Sequence, residues 1–195
     1  VNMQDEAALL SGTTYLNVHT ATFPGGIIRG QLFSNGNVGL AGGRATGTGG
    51  VTGIENAIGG SAADGLVGTI GINSLQGNAG NDVLLGGPGN DNMQGGNDND
   101  VLVWSNGDNT DVIDGNAGTD IVSVNGAVAA GDVFTVTGAA ARVAFARTNL
   151  VPFALDIGTV ERLIINGVGG DDSLTSSAMS GVADLTTLDL NGQLG

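Results

Sequence analysis

Between residues 59 and 123 a large apolar side chain returns every nine residues, and an aspartate or asparagine stands two places before each one. The apolar positions are Leu66, Leu75, Leu84, Met93, Leu102, Ile113 and Val122, and glycine fills much of the sequence between them. In blocks of nine the chain reads GGSAADGLV (59–67), GTIGINSLQ (68–76), GNAGNDVLL (77–85), GGPGNDNMQ (86–94) and GGNDNDVLV (95–103). An eleven-residue block, WSNGDNTDVID (104–114), adds two residues before GNAGTDIVS (115–123) restores the nine. Upstream, GVTGIENAI (50–58) fits the same frame with Glu55 in the acidic place.

This pattern predicts a loop of about six residues and a strand of about three in each block. Glycine tolerates positive φ, so a glycine-rich loop can turn its backbone carbonyls toward a common point. Asp64, Asp82, Asp91, Asp100, Asp111 and Asp120, at the sixth place, add a hard anionic oxygen to those carbonyls. Such a donor set suits calcium rather than a softer transition metal. The apolar eighth place is the predicted core, and its neighbours along the strand point the opposite way.

The blocks resemble the GGxGxDxUx nonapeptide of hemolysin-type (RTX) calcium-binding proteins. The resemblance implies an all-β fold: a right-handed parallel β-roll, two nonapeptides per turn, with calcium between loops stacked on the same side. Alternate loops then fall into two columns, one with Asp64, Asp82, Asp100 and Asp120, the other with Glu55, Asn73, Asp91 and Asp111. Neutral Asn73 weakens its site, Asp98 replaces a usual loop glycine, and Asp108 adds an acid to the inserted loop. The candidate calcium ligands are these aspartates, Asp98 and Asp108 included. The loop residues Gly77, Ala79, Gly80, Gly86, Pro88, Gly89, Gly95 and Asn97 join them, and several ions are expected.

Composition agrees with a repeat. Without a period, the 37 glycines of this 195-residue chain would read as disorder; with one, they describe a solenoid whose coils bury a narrow core only by stacking. The net charge of -14, with every basic residue an arginine, repels phosphate backbones and anionic surfaces, so nucleic acid is not an expected partner. Scattered acids such as Asp5, Glu6 and Asp184 are read as solvated surface. The in-register aspartates are different, because their mutual repulsion opposes folding unless a cation neutralises it. There is no cysteine, which excludes disulfides, thiolate metal sites and cysteine nucleophiles. No long apolar span is visible, and no membrane-crossing segment is expected. The chain opens at Val1 and closes within a GQLG resembling the start of another block, so it is read as a piece of a longer secreted protein of the bacterial cell surface or matrix.

Outside the beat, residues 1–33 predict a hairpin, with strands near 13–18 and 27–33 joined across Phe23-Pro24-Gly25-Gly26. The stretch YLNVHTATFPGGIIRGQL (15–32) resembles the C-terminal end of a CHRD domain, an extracellular β module. His19, the sole histidine, is read as a structural strand residue. Residues 34–49 read as a Gly-rich linker, residues 50–123 as the calcium roll, and residues 124–195 as an irregular solenoid extension. Strand-like runs in the extension lie at 132–137, 141–146, 160–165 and 185–190, and GVGGDDSLT (167–175) returns Asp172 to the acidic place. The segment 147–174 resembles a spacer found between calcium-repeat clusters of secreted bacterial proteins. Arg142, Arg147 and Arg162 are given Asp156 and Glu161 as surface partners, with no functional role.

An enzyme is not expected. There is no G-x-S-x-G elbow, and nine-residue spacing gives the carboxylates matching environments, the opposite of what acid and base roles need. Glycine spacings such as Gly77, Gly80 and Gly86 lack the helix and basic partner of a phosphate loop. The expectation is a secreted calcium-binding solenoid with a structural role, forming a filament or matrix. The alternatives are a calcium-dependent adhesion module binding extracellular glycans and a type I secretion module. The positions flanking the core divide by sheet: Val83, Leu85, Val101, Val103 and Ile121 on one, Ser74, Gln76, Asn92 and Gln94 on the other. An apolar outer stripe marks a contact surface. Either the C-terminal segment folds back over it or other copies cover it, the hairpin and the end near Gly195 pairing with neighbours to make a filament.

Overall fold

The structure is a computed structural model that describes the backbone of residues 15–18 and 28–31 and the whole of residues 55–192. Sixteen strands and no helix are found among these residues. β1 (Tyr15–Val18) and β2 (Ile28–Gln31) form an antiparallel pair at the predicted hairpin. Its turn, His19 and the linker lie outside the described residues.

From β3 (Asn56–Ile58) to β10 (Ile121–Asn125) the chain coils. β3, β5 (Ser74–Ala79), β7 (Asn92–Asn97) and β9 (Asp111–Ala117) stack in parallel on one sheet. β4 (Gly65–Val67), β6 (Val83–Leu85), β8 (Val101–Ser105) and β10 stack in parallel on the other. The chain is an all-β roll of this kind because each block turns one large apolar residue inward at its eighth place, too little to hold a lone strand but enough when coils stack. All seven predicted core residues are buried between the sheets. The second place of successive blocks turns left-handed, with φ of 77° at Asn78, 80° at Gly87, 124° at Gly96 and 74° at Asn116. These four places hold asparagine or glycine, the residues that adopt this conformation most readily, whereas Thr69 and Ser105 at the same place of their blocks do not take it.

The strands of the two sheets differ in length. β5, β7 and β9 run to six or seven residues and continue into the glycines of the following block, whereas β3, β4 and β6 have the predicted three.

Beyond β10 the coil does not simply continue with longer turns. β11 (Val133–Ala139), β12 (Arg142–Arg147) and β13 (Phe153–Gly158) form an antiparallel meander, and β13 returns to lie parallel beside β9. β14 (Arg162–Asn166) and β16 (Thr187–Asn191) extend the β4 sheet, while β15 (Ser173–Ser176) adds to β11. The final sheets hold eight and six strands. The meander stacks Phe153 on the Trp104 ring at 3.8 Å, with Phe145 beside Phe153 and Phe134 beside Phe145. The border placed at residue 123 falls inside β10.

Candidate metal centre

One full coil separates each acidic residue from the next in its column, so parallel stacking brings their backbones into line. In the first column the Asp64 N–H donates to Asp82 Oδ1, Asp82 N–H to Asp100 Oδ1 and Asp100 N–H to Asp120 Oδ1, each at 2.8 Å. Asp120 N–H then donates to Glu161 Oε2 at 2.6 Å. In the second column Asn73 N–H donates to Asp91 Oδ1 and Asp91 N–H to Asp111 Oδ1, both at 2.8 Å. The aspartates therefore satisfy buried N–H groups that the loops, having no sheet ladder there, would leave unpaired.

The second oxygen of each carboxylate has no such use. Oδ2 of Asp82, Asp91, Asp100, Asp111 and Asp120, and Oδ1 of Asp64, are buried without a hydrogen-bond partner. Those of Asp82, Asp91, Asp100 and Asp120 lie beside the first glycine of the same block: a Cβ on Gly77 would strike Asp82 Oδ2 and the Gly95 carbonyl, and one on Gly95 would strike Asp100 Oδ2 and approach the Gly115 carbonyl at 2.8 Å. Carboxylate and carbonyl oxygens thus crowd together with no donor between them. Burial is the largest cause of the resulting shifts, holding the Asp111 carboxyl up at about 7 and Asp100 at about 6, with neighbouring acids adding to it. Asp82, Asp91 and Asp120 are raised in the same way.

Orphaned anionic oxygens packed against carbonyls fit a hard cation. Among the described residues no three His, Cys, Asp or Glu side chains converge, so the carboxylates alone cannot complete a coordination shell and backbone carbonyls must supply the rest. That mixture is characteristic of calcium and foreign to structural zinc. The ladder aspartates, with carbonyls of the glycine loops, are the residues that would hold the ion, which would supply charge neutralisation and a bridge between successive loops.

The remaining candidates sit as follows. Gly77, Gly86 and Gly95 press against the ladder acids, as does Gly89 against Asp91. Gly80 turns left-handed at φ 111° against the backbone of Ala62. Ala79 and Asn97 lie opposite each other at the ends of β5 and β7, and Pro88 is exposed. Asp98 and Asp108 stand outside the buried rows: exposed Asp98 accepts the Gly80 N–H at 3.2 Å, and Asp108 accepts the Ser105 N–H at 2.6 Å. Glu55 is exposed.

Besides Asp172, whose Oδ2 is also buried without a partner, two further acids in these stacks were absent from the predicted ligand set. Glu161 caps the first column, and Asp132, whose N–H donates to Asp172 Oδ1 at 2.8 Å, resumes the second beyond the meander. Each stands two places before a buried residue, Leu163 and Phe134, which is the signal that would have found them. The arginine pairing is also corrected. Arg142 binds Asp114 as well as Asp156, Arg147 binds Asp132, and Arg162 binds Asp189 at 2.6 Å, because the meander and the added coil bring those acids closer than Glu161.

Parallel coils of nine-residue units with a buried aspartate or asparagine in successive loops define a β-roll. Residues 67–102 match the RTX calcium-binding nonapeptide repeat, in four copies. Residues 1–32 match the CHRD domain. No curated protein and no solved structure matches the chain. Asp111, Asp120 and Glu161 lie beyond the matched repeats, yet the ladder carries on through them without a change of geometry.

Proposed function

We propose that this is an extracellular structural module in which calcium ions staple successive loops and lock the roll in its folded form. The observation that carries the reading is the row of buried acid oxygens without partners, which disfavours the ionised roll until a cation arrives. No helix among the described residues is long and apolar enough to cross a membrane. Circular dichroism of the chain before and after chelation tests the mechanism. The β signal of the coils should collapse on chelation and return with calcium, and an unchanged spectrum would refute it.

Self-association belongs to the same proposal. Val83, Val101 and Ile121 stand side by side on the outer face of the β4 sheet, with Leu85 and Val103 in the next row. β16, the last described strand, lengthens that sheet at its edge. Copies of the chain would cover the apolar stripe, giving a filament or matrix.

A glycan-binding module is the second reading, favoured by a polar groove of about 280 Å³ on the other sheet, lined by Gln76, Asn78, Gln94, Asn97 and Asn116. Retention on immobilised polysaccharide that chelation abolishes would support it over the structural role.

A further inference from the structure

Asp132 repeats the ladder geometry with one difference. It is fully buried, it stands two places before Phe134, and its N–H donates to the acid one level on. Yet neither of its carboxylate oxygens is spare: Oδ2, the oxygen left over in the rungs from Asp82 to Asp120, accepts the Ala127 N–H at 2.7 Å, and Oδ1, which elsewhere accepts the preceding rung's N–H, accepts Arg147 Nη1 at 3.0 Å. At Asp82, Asp91, Asp100, Asp111 and Asp120 one oxygen always remains.

Arg147 closes β12 and is 4% exposed. Its Nη1 also donates to Asn106 Oδ1 at 2.7 Å, while Nε and Nη2 donate to the Val151 carbonyl at 3.0 and 2.7 Å. The guanidinium lies 5.0 Å from the centre of the Phe153 ring. Oxygens from three loops, those leading into β9, β11 and β13, therefore converge on one positive group. They are a carboxylate, a side-chain amide and a backbone carbonyl, the donor types of a calcium loop. Asn106 belongs to the eleven-residue block that interrupts the nine-residue spacing. A guanidinium stays charged at every accessible pH, so the Asp132 charge is compensated whatever the calcium level.

We propose that Arg147 neutralises Asp132 where the meander interrupts the second loop column, donating to the oxygen that a preceding rung's N–H fills elsewhere, so that β11 to β13 hold their fold without the metal that β5 to β8 require. The proposal rests on the calcium reading of the ladder, and hydrogen exchange on the whole chain separates the two. On chelation, amides of β5 to β8 should lose their protection, whereas those of β11 to β13 should stay within about tenfold of their calcium-loaded values. Protection that survives in both segments overturns the calcium reading and this inference with it. Loss in both leaves the calcium reading standing and overturns the role of Arg147. In chelator, Arg147→Gln should lower protection of β11 to β13 by about a hundredfold or more, and Arg147→Lys, which keeps the charge, should retain most of it. Equal loss in the two variants would mean that shape rather than charge matters, and would also overturn the proposal.

Discussion

The two oxygens of each ladder aspartate are separable by mutation. In Asp100, Oδ1 accepts the buried N–H of Asp82, and Oδ2 is the oxygen left for a cation. Asp100→Asn keeps the acceptor and removes the charge, so with chelator present it should melt no lower than the unmodified protein, and with excess calcium clearly lower. Asp100→Ala strands the Asp82 N–H and should cost about 1–3 kcal/mol in both conditions. Calorimetry of the two variants with and without calcium checks this, and a parallel loss in both would contradict it. The raised carboxyls set a pH dependence as well. Asp100 at about 6 and Asp111 at about 7 bind protons more tightly folded than at their ordinary value of 3.8, so without calcium their contribution to stability is complete below that value and lost as pH rises through 6 and 7. Thermal melts in chelator should therefore climb on acidification from neutral pH. Added calcium, which needs the ionised acids, should help most at the alkaline end. At this scale the sequence was highly informative for the repeated acids. It said less about Asp98, which is exposed, and Asp108, which is half-buried, since counting acids per loop does not say which of them a fold turns inward.

The regular strands were readable because each is written twice per coil in the same spacing. The meander was not. Its first hairpin turns at Ala140, which takes φ 55° with no Asn-Gly or Asp-Gly to announce it, and β13 lies between Pro152 and Gly158 within a segment that reads as a spacer. Arg142–Arg147 was predicted within one residue, yet nothing local distinguishes a strand that runs parallel to its neighbour from one that runs against it. The strained turn gives a direct test. Glycine accepts positive φ without the alanine Cβ clash, so Ala140→Gly should be neutral or stabilising by about 1 kcal/mol, the reverse of the usual glycine penalty. Chemical denaturation at fixed calcium measures it, and a loss of stability would show that the turn is not under strain.

At the scale of the molecule the two outer faces carry opposite chemistry, although less purely than the repeat alone implies. Gln76 and Gln94 are bonded at 3.2 Å on the polar sheet, but Val112 on the same sheet is 41% exposed. If the apolar face joins copies, Val101→Ser should weaken association with little change in folding, because the side chain points away from the core. Sedimentation with calcium present decides between that outcome and a chain that is monomeric from the start. The segregation of the faces depends on a spacing of 18 residues between rungs of the regular coils. Odd and even edits to the chain are therefore different operations. Excising residues 77–85 would shift every later strand to the opposite side, placing valines where the amides now stand. Excising residues 77–94 would shorten the cylinder by one layer and leave each face what it was. A lineage of such proteins can therefore change its reach by gaining or losing repeats in pairs without altering what its surfaces present, whereas a single repeat gained or lost would exchange them.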